Sequence, residues 1–404
     1  MKMNKPALDG VRIADFSWAW AGPYATMLLA LMGAEVIKIE SSQRLDHVRL
    51  RALGFGVFRG ADRSPFFNDL NLNKLSVTLN LSHPEAVELA KRIVSISDVA
   101  MQNMRPGVMD RLGLGYEELS KIRPDIIYLS SSACGATGPE RGYVGYAPTF
   151  AALGGADYLT GYPDAAPQPM SGSIDLRSAA TSAFVLLAAL CYRQRTGEGQ
   201  HIDLSSQETI SVLLGDAIMD YTMNRREQMR NGNRDDNMAP HNCYRCRGGK
   251  WVTIAVATEE EWQSFCSAIG NPDWTKDRMF ADAYSRQRNQ DELDKRVEEW
   301  TINHTPYQVT KILQKVGVAA FPSLDSKGLY ADRHLKERGF FEELEHPVMG
   351  KRIALAPHWR LNGTTAMPRR PAPLLGQHNE YVFGELLGMR PEEITELEQR
   401  GIIN

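Results

Sequence analysis

Basic residues are not in excess in this sequence: 46 Lys and Arg stand against 49 Asp and Glu, a formal net charge of -3. A nucleic-acid binder would carry a clustered basic surplus, so neither DNA nor RNA is expected as a partner. An anionic small ligand stays compatible, because a few placed Arg and Lys serve it without moving the total. Long apolar runs are missing too. The longest, around Ala179 to Leu190, falls short of the ~18 uninterrupted apolar residues of a membrane span and is followed by charge. No membrane association is expected. Cysteine is scarce, at five in 404 residues. The opening "MKMNKPALDGVRIADF" has no long apolar core and no small-residue cleavage site, so the expectation is a cytoplasmic protein with reduced thiols.

Some fingerprints are absent or incomplete. No G-x-G-x-x-G follows the first strand-like run, and Glu40, placed where such a fold holds its ribose-binding acid, is the single match to an NAD-type site. The C-x-x-C of "HNCYRC" (241–246) has no second cysteine pair at a zinc spacing and does not open a helix, so no metal is expected and two thiols near a strand are the simpler reading. "SSSACG" (130–135) lacks the G-x-S-x-G spacing of a serine nucleophile.

The chain does have the composition of a globular protein, 43% hydrophobic and 24% charged, at a length that suits two domains. Its first 135 residues alternate strand-like and helix-like runs. "GVRIADF", "AEVIKIE", "SVTLNL", "VAMQNM" and "IIYLSSS" read as buried strands, and "YATMLLALMG" and "PEAVELAKRIVSIS" as helices. Such alternation predicts an α/β fold with a doubly wound, mostly parallel sheet whose ligands sit in crevices at the carboxyl ends of the strands. Those ends are "SWAWAGP" (17–23), "SSQR" (41–44), "NMRPG" (103–107) and "SSSACGATGP" (130–139). Residues 141–171 read as a long connection rich in Gly, Pro and aromatics. A long helix from Leu176, the strand "QHIDLSS" and a helix to about Met223 follow. The polar stretch 224–237 marks a boundary. The expected organisation is a large domain from 1–225, a smaller α/β domain over 238–325, and a return over 326–404, alternating turns with two late helices, that completes the large domain.

One carboxylate stands out. In "PMSGSIDLRSAATSAFVLLAALCYRQRTGEGQ" (169–200), Asp175 follows Ser-Gly-Ser and precedes an apolar helix. An Asp directly ahead of a helix is a favoured N-cap. The same geometry places an ionised carboxylate where helix N–H groups stabilise an anion, and a carboxylate can attack an activated acyl carbon. Gly172 beside it would admit close approach of a substrate to the backbone. The local sequence leaves both readings open. "QNMRPGVMDRLGLG" places Asn103, Arg105 and Arg111 after the fourth strand, donors that suit phosphate and that equally suit a solvated surface.

Taken together, a series of strings in fixed order resembles the class III CoA-transferases, the family that includes carnitine CoA-transferase, formyl-CoA transferase and α-methylacyl-CoA racemase. They are "LDGVRIADFSWAWAGPYATMLLALMGAEVIKIE" (8–40), "NLNKLSVTLNL" (71–81), "NMRPGVMDRLGLGYEEL" (103–119) and "GATGP" (135–139), followed by "RQRTGEGQHIDLS" (193–205), "GVAAFPSL" (317–324), "ADRHLKERGFF" (331–341) and "PAPLLGQHNE" (371–380).

The resemblance implies that Asp175 is the nucleophile, passing through an aspartyl–acyl mixed anhydride and an aspartyl-CoA thioester. It implies CoA contacts from Lys74, Leu79, Asn103, Met104, Arg105 and Arg111. It implies a Rossmann-like large domain, two subunits interlocked as a dimer, homomeric or with a related subunit, and no tightly bound cofactor. Trp20 stands where formyl-CoA transferase has a Gln near the reacting acyl group, implying a larger and more apolar substrate. Tyr146 matches a Tyr beside the nucleophile, at the point where the racemases have their catalytic His, which argues against racemisation. The glycine-rich loop that shields the site in formyl-CoA transferase has no clear counterpart near "NRDDNMAPHN". The "DFSWAWAGP…LDHVR" form of the N-terminal segment looks most like the branch that moves CoA from succinyl-CoA to (R)-2-benzylsuccinate.

Overall fold

The computed structural model describes residues 5–51 and 60–404. The chain divides into two units, one joining the stretch up to Ala156 with Pro169–Met219 and His334–Asn404, the other joining Asp157–Gln168 with Asp220–Arg333. The polar boundary read at 224–237 therefore lies inside the second unit, as does part of the Gly- and Pro-rich connection before Asp175.

The first unit is built on β1 (Arg12–Asp15), β2 (Glu35–Glu40), β3 (Leu75–Thr78), β4 (Val99–Gln102), β5 (Ile127–Ser132) and β6 (Gln200–Ser205). They form one sheet in the order β3-β2-β1-β4-β5-β6, with every neighbouring pair parallel. This is the doubly wound order, and its strand sequence reverses between β1 and β4, where such sheets open a ligand crevice. Both faces are covered, so the strands read as apolar throughout. Ala14, Ile37, Ile39, Ala100 and Tyr128 point into one core with Leu89, Ile93, Leu119 and Phe383. Ile13, Val36, Val99, Met101, Ile127 and Leu129 point into the other with Leu29, Ala179, Ala183 and Leu186.

The second face is covered by the helices Ala21–Leu31 and Ser171–Thr196. By length and composition the latter could cross a membrane, yet Ala179, Ala183, Leu186 and Ala189 are buried on it, and here it is a crossover helix feeding a parallel strand. Its far end is tied to the amino edge of the sheet. Arg193 donates to the Asp98 carboxylate at 2.8 Å and to the Asp98 carbonyl at 3.1 Å, just ahead of β4. The turn into β6 then passes so close that a Cβ on Gly199 would stand 2.2 Å from the Ile126 carbonyl oxygen. The "RQRTGEGQ" string thus splices the helix to β4 and β6.

The outer edge strand β3 is closed by "PLLGQHNE". His378 Nδ1 accepts from Ser76 N–H at 3.1 Å and Asn379 Oδ1 from Thr78 N–H at 3.0 Å. Side chains there do what a further strand would do for the unpaired edge. Burial, and then Arg370, push His378 down to about 4, so its ring is neutral near pH 7 and free to accept.

The second unit has an antiparallel sheet of β7 (His241–Cys246), β8 (Lys250–Ala255) and β9 (Ala319–Pro322), in that order. The Glu259–Ala268, Gln290–Thr301 and Pro306–Gln314 helices pack on it through Trp262, Phe265, Leu293, Val297, Val309 and Leu313. β7 is the string "HNCYRC" itself. Cys243 and Cys246 sit three apart on one strand, an odd separation that points them to opposite faces, and Cys246 is fully buried. Within the tail read as turns and helices, the first unit adds a hairpin of β10 (Phe341–His346) and β11 (Gly350–Leu355).

Candidate active site

The crevice between β1 and β4 is framed by the loop that leaves β1, Phe16–Trp20, and the turn that leaves β4, Asn103–Gly107. Asn103 joins the two. Its side-chain oxygen accepts from Trp18 N–H and its amide donates to the Trp18 carbonyl, both at 2.7 Å. The following helix starts so close that a Cβ on Gly22 would stand 2.3 Å from the Ser17 Cβ and 3.1 Å from Asn103 Cγ. The Asn103 side chain, expected as a CoA contact, thus also ties the β1 loop to the β4 turn.

Beneath the loop lies a buried charge cluster. Asp15 accepts from Ser17 N–H at 2.9 Å, from the Ser17 and Thr26 hydroxyls and from Lys74 Nζ at 3.0 Å. Burial by itself would raise this carboxyl, but the Lys74 and Lys38 ammonium groups and the two hydroxyls outweigh it and hold Asp15 down at about 2. Lys74 gives its other donors to the Pro23 carbonyl and the Asn71 side chain and is 1% exposed. A buried ammonium with every donor engaged has nothing to offer a phosphate. Leu79, also 1% exposed, is core. The Lys74 and Leu79 side chains, expected as CoA contacts, are packed into the framework beneath the loop.

Glu40 is taken as well. Arg49 grips it in a two-pronged pair at 2.8 and 2.7 Å, and the Ser76 hydroxyl donates to it at 3.0 Å. It is 4% exposed, so no carboxylate is left for a ribose, and the one match to an NAD-type site is gone.

Asp175 is neither a cap nor paired. The helix begins at Ser171, with Met170 in the capping position and no side-chain cap, so Asp175 is its fifth residue. Gly and Ser are poor helix formers, but Ile174 is buried with Ala147, Phe150, Ala151 and Ile210, and that packing overrides propensity. Gly172 lies outside the residues whose surroundings are described. From Arg193, anchored at the amino edge, back to Asp175 is roughly 27 Å of helix, whereas six residues of strand span about 20 Å. The first turns of this helix therefore overhang the carboxyl edge of the sheet, and Asp175 rides on them. Its carboxylate is half-buried and has no hydrogen-bond or ionic partner among the described residues. Burial pushes it up to about 6 from an ordinary 3.8.

Tyr146 is brought to the same end. It stands immediately before the Ala147–Leu153 helix, which shares the small core under Ile174, and its ring is 69% exposed. Trp20 is half-buried and tilted on Phe66 at 5.8 Å. Met104 lines a cleft of about 170 Å³ that runs along β5 and β6 from the end of β4, with Gln102, Gly107, Tyr128, His201 and Asp203. Arg105 is exposed on the turn after β4, and Arg111 is exposed at the end of the Val108–Arg111 helix that follows it. Sequence reading missed Asp15, Lys38 and Asp46. Their signal was present, since a charge inside an apolar strand string such as "VIKIE" needs a buried partner.

Among the described residues no group of His, Cys, Asp and Glu is arranged to hold a metal ion. A sequence model of the family described as CoA-transferase family III matches residues 8–379. The chain is 34% identical over 399 residues to a succinyl-CoA–D-citramalate CoA-transferase of Chloroflexus aurantiacus, covering 98% of each. It is 32% identical over 402 residues to the beta subunit of a succinyl-CoA–L-malate CoA-transferase of the same organism, again covering 98% of each. The crystal structure of a CaiB/BaiF family protein from Brucella suis superposes with a TM-score of 0.86 at 30% identity, covering 95% of this chain and 100% of that one. Family model, relatives and fold agree: this chain belongs to CoA-transferase family III.

Proposed function

We propose that the protein moves CoA from succinyl-CoA to a dicarboxylic acid, with Asp175 as the covalent nucleophile. The observation that carries this reading is the carboxylate of Asp175, half-buried and without a partner among the described residues, on helical turns beyond the carboxyl edge of the sheet. With its pKa raised to about 6 it is still mostly ionised near pH 7, and it is more basic, hence more nucleophilic, than an ordinary carboxylate. An Asp175 oxygen attacks the thioester carbon, the C–S bond breaks, and CoA leaves as the thiolate. The thiolate then attacks Cγ of Asp175, expelling succinate and leaving an aspartyl-CoA thioester. The acceptor carboxylate attacks the same Cγ and releases the thiolate. The thiolate takes the new acyl group and restores the Asp175 carboxylate. Two moderate barriers replace the direct exchange that two carboxylates cannot make.

Support for a succinyl donor and a small dicarboxylate acceptor comes from the citramalate and malate transferases the chain resembles. The indole of Trp20 beside the crevice suits an apolar substituent, so (R)-2-benzylsuccinate belongs among the acceptors. Arg105 and Arg111 are proposed to meet the CoA phosphates, and Tyr146, Trp20 and Met104 to line the acyl end. The five cysteines are free thiols, as a reducing cytoplasm would keep them. We propose a dimer, of identical or related subunits. In the first unit Phe184 is 70% and Val212 68% exposed, and Leu153, Ile218 and Met219 extend the apolar surface that a second subunit would cover. Light scattering on the eluting protein measures this, and a monomer would contradict it.

The deciding experiment is incubation with succinyl-CoA, trapping with hydroxylamine or borohydride, and peptide mass mapping. Modification at Asp175 is expected. Modification elsewhere, or none while CoA is still exchanged, would overturn the mechanism. A panel of D-citramalate, L-malate, glutarate and (R)-2-benzylsuccinate then ranks the acceptors.

A further inference from the structure

The loop Ser17–Trp20 makes almost no hydrogen bonds of its own. Side chains from elsewhere meet each backbone polar group from Ser17 N–H to Ala19 N–H except the first, which Asp15 at the end of β1 takes. Lys38 Nζ, from the middle of β2, donates to the Ser17 carbonyl at 2.7 Å. Asn103, from beyond β4, holds both polar groups of Trp18. The Ala19 N–H goes to Asp46, 3.2 and 3.1 Å from its two oxygens. Ala19 itself has φ of 64°. For an L-residue this left-handed conformation costs on the order of 1 kcal/mol and persists where the surroundings over-determine it.

Asp46 is 1% exposed. Among the described residues its carboxylate otherwise meets the Val48 N–H that it caps at 3.1 Å, Lys38 Nζ at 3.7 Å and the exposed His47 ring at 3.8 Å. Burying a carboxylate and an ammonium together gains little over an apolar pair. What the pair does achieve is geometric. It fixes Ser17 and Ala19 from one side while Asn103 fixes Trp18 from the other, so the strained residue between two indoles has one arrangement. Trp20 follows directly, its ring half-buried against Phe66 at the rim of the crevice.

We infer that Asp46 is a positioning residue that sets acceptor selectivity by holding Ala19, and through it the Trp20 indole, at the mouth of the switch-point crevice. The inference rests on the CoA-transferase reading. Asp46 itself touches no substrate atom and leaves the chemistry at Asp175 alone.

The test compares wild type, Asp46→Ala, Asp46→Asn, Trp20→Ala and the Asp46→Ala/Trp20→Ala double variant as full-length protein. Tm is measured, with kcat and KM for L-malate and (R)-2-benzylsuccinate at saturating succinyl-CoA. Asp46→Ala is expected to change the ratio of kcat/KM for the two acceptors by roughly tenfold, in the direction Trp20→Ala takes, with the rate of Asp175 labelling by succinyl-CoA unchanged. The double variant is expected to match Trp20→Ala, since both act through one ring. Asp46→Asn keeps an oxygen for the Ala19 N–H, so it is expected to lower Tm by stranding Lys38 yet to retain the wild-type ratio. Should Asp46→Ala not fold, Asp46→Ser takes its place, because its hydroxyl can still cap Val48 while the contact to Ala19 is lost. Folded Asp46→Ala (or Asp46→Ser in its place) with an unmoved ratio, or additive effects in the double variant, would overturn the inference. Wild type that moves CoA to neither acceptor nor to any other acid sinks the CoA-transferase reading, and the inference falls with it.

Discussion

Asp98 and Asp175 are carboxylates at opposite edges of the same sheet, and their surroundings are opposite too. At the amino edge Asp98 accepts from the Arg12 N–H at 2.7 Å, from Arg123 at 3.1 Å and from Arg193 at 2.8 Å. At the carboxyl edge Asp175 is half-buried with no partner among the described residues, and burial alone lifts its pKa to about 6. A carboxylate surrounded by donors holds elements together and has no lone pair to spare. One that is desolvated and left alone is costly to the fold, and such a cost is characteristic of groups kept for chemistry. Neither sits within the strings that mark the family; the resemblance singles out Asp175, and the surroundings now set the two apart.

The largest expected effect would break this contrast if it failed. Asp175→Asn should lose CoA transfer by about 10⁴-fold or more, measured on protein shown by mass spectrometry not to have deamidated. The same variant should be no less stable than wild type. An Asp175→Asn protein that still turns over at the wild-type rate would remove the nucleophile from the proposal.

Acidity sharpens the comparison. The folded pKa of Asp175 lies above its ordinary 3.8, so ionising it costs the folded state. That cost is absent at pH values below the ordinary carboxylate range, grows as pH rises, and is complete above about 6. Two measurements follow. The transfer rate should fall about tenfold per pH unit below about 6 as the nucleophile becomes protonated. Between pH 4 and 8, Asp175→Asn should gain in Tm relative to wild type as pH rises, by roughly 2–4 °C at the alkaline end. A rate profile flat down to pH 5 would assign the chemistry to another group.

The smallest effect lies at the other edge. Arg193→Ala leaves Asp98 short of one donor and should cost about 1–3 kcal/mol of stability by denaturant titration, with kcat per folded molecule retained. A loss of kcat without loss of stability would make the "RQRTGEGQ" string part of the active site after all.

Much of the first unit was legible because its strands are buried on both faces, and alternating apolar strings with helices between them leave few other topologies. The hairpin of β10 and β11 escaped because "FEELEH" and "GKRIAL" carry charge on an exposed surface and show no apolar rhythm. β7 escaped for a similar reason, its string mixing Asn, Arg and two thiols. The start of the Asp175 helix was misplaced because Ser-Gly-Ser reads as loop, while Ile174 finds a buried place beside Phe150 and Ile210. Asn103 was legible as a polar residue at the right edge, and Lys74 came from the resemblance alone. That both are already occupied was not legible, since the donors and acceptors that engage them come from distant parts of the chain.

By itself the sequence determined the parallel sheet, the edge at which a ligand would bind, and the carboxylate worth suspecting, because periodicity and strand order are local and additive. Which charges are spent and which are left unpaired was decided only by the tertiary structure. Asp15, Glu40 and Asp175 are all acids in the sequence, and only folding assigns each its neighbours and its share of water.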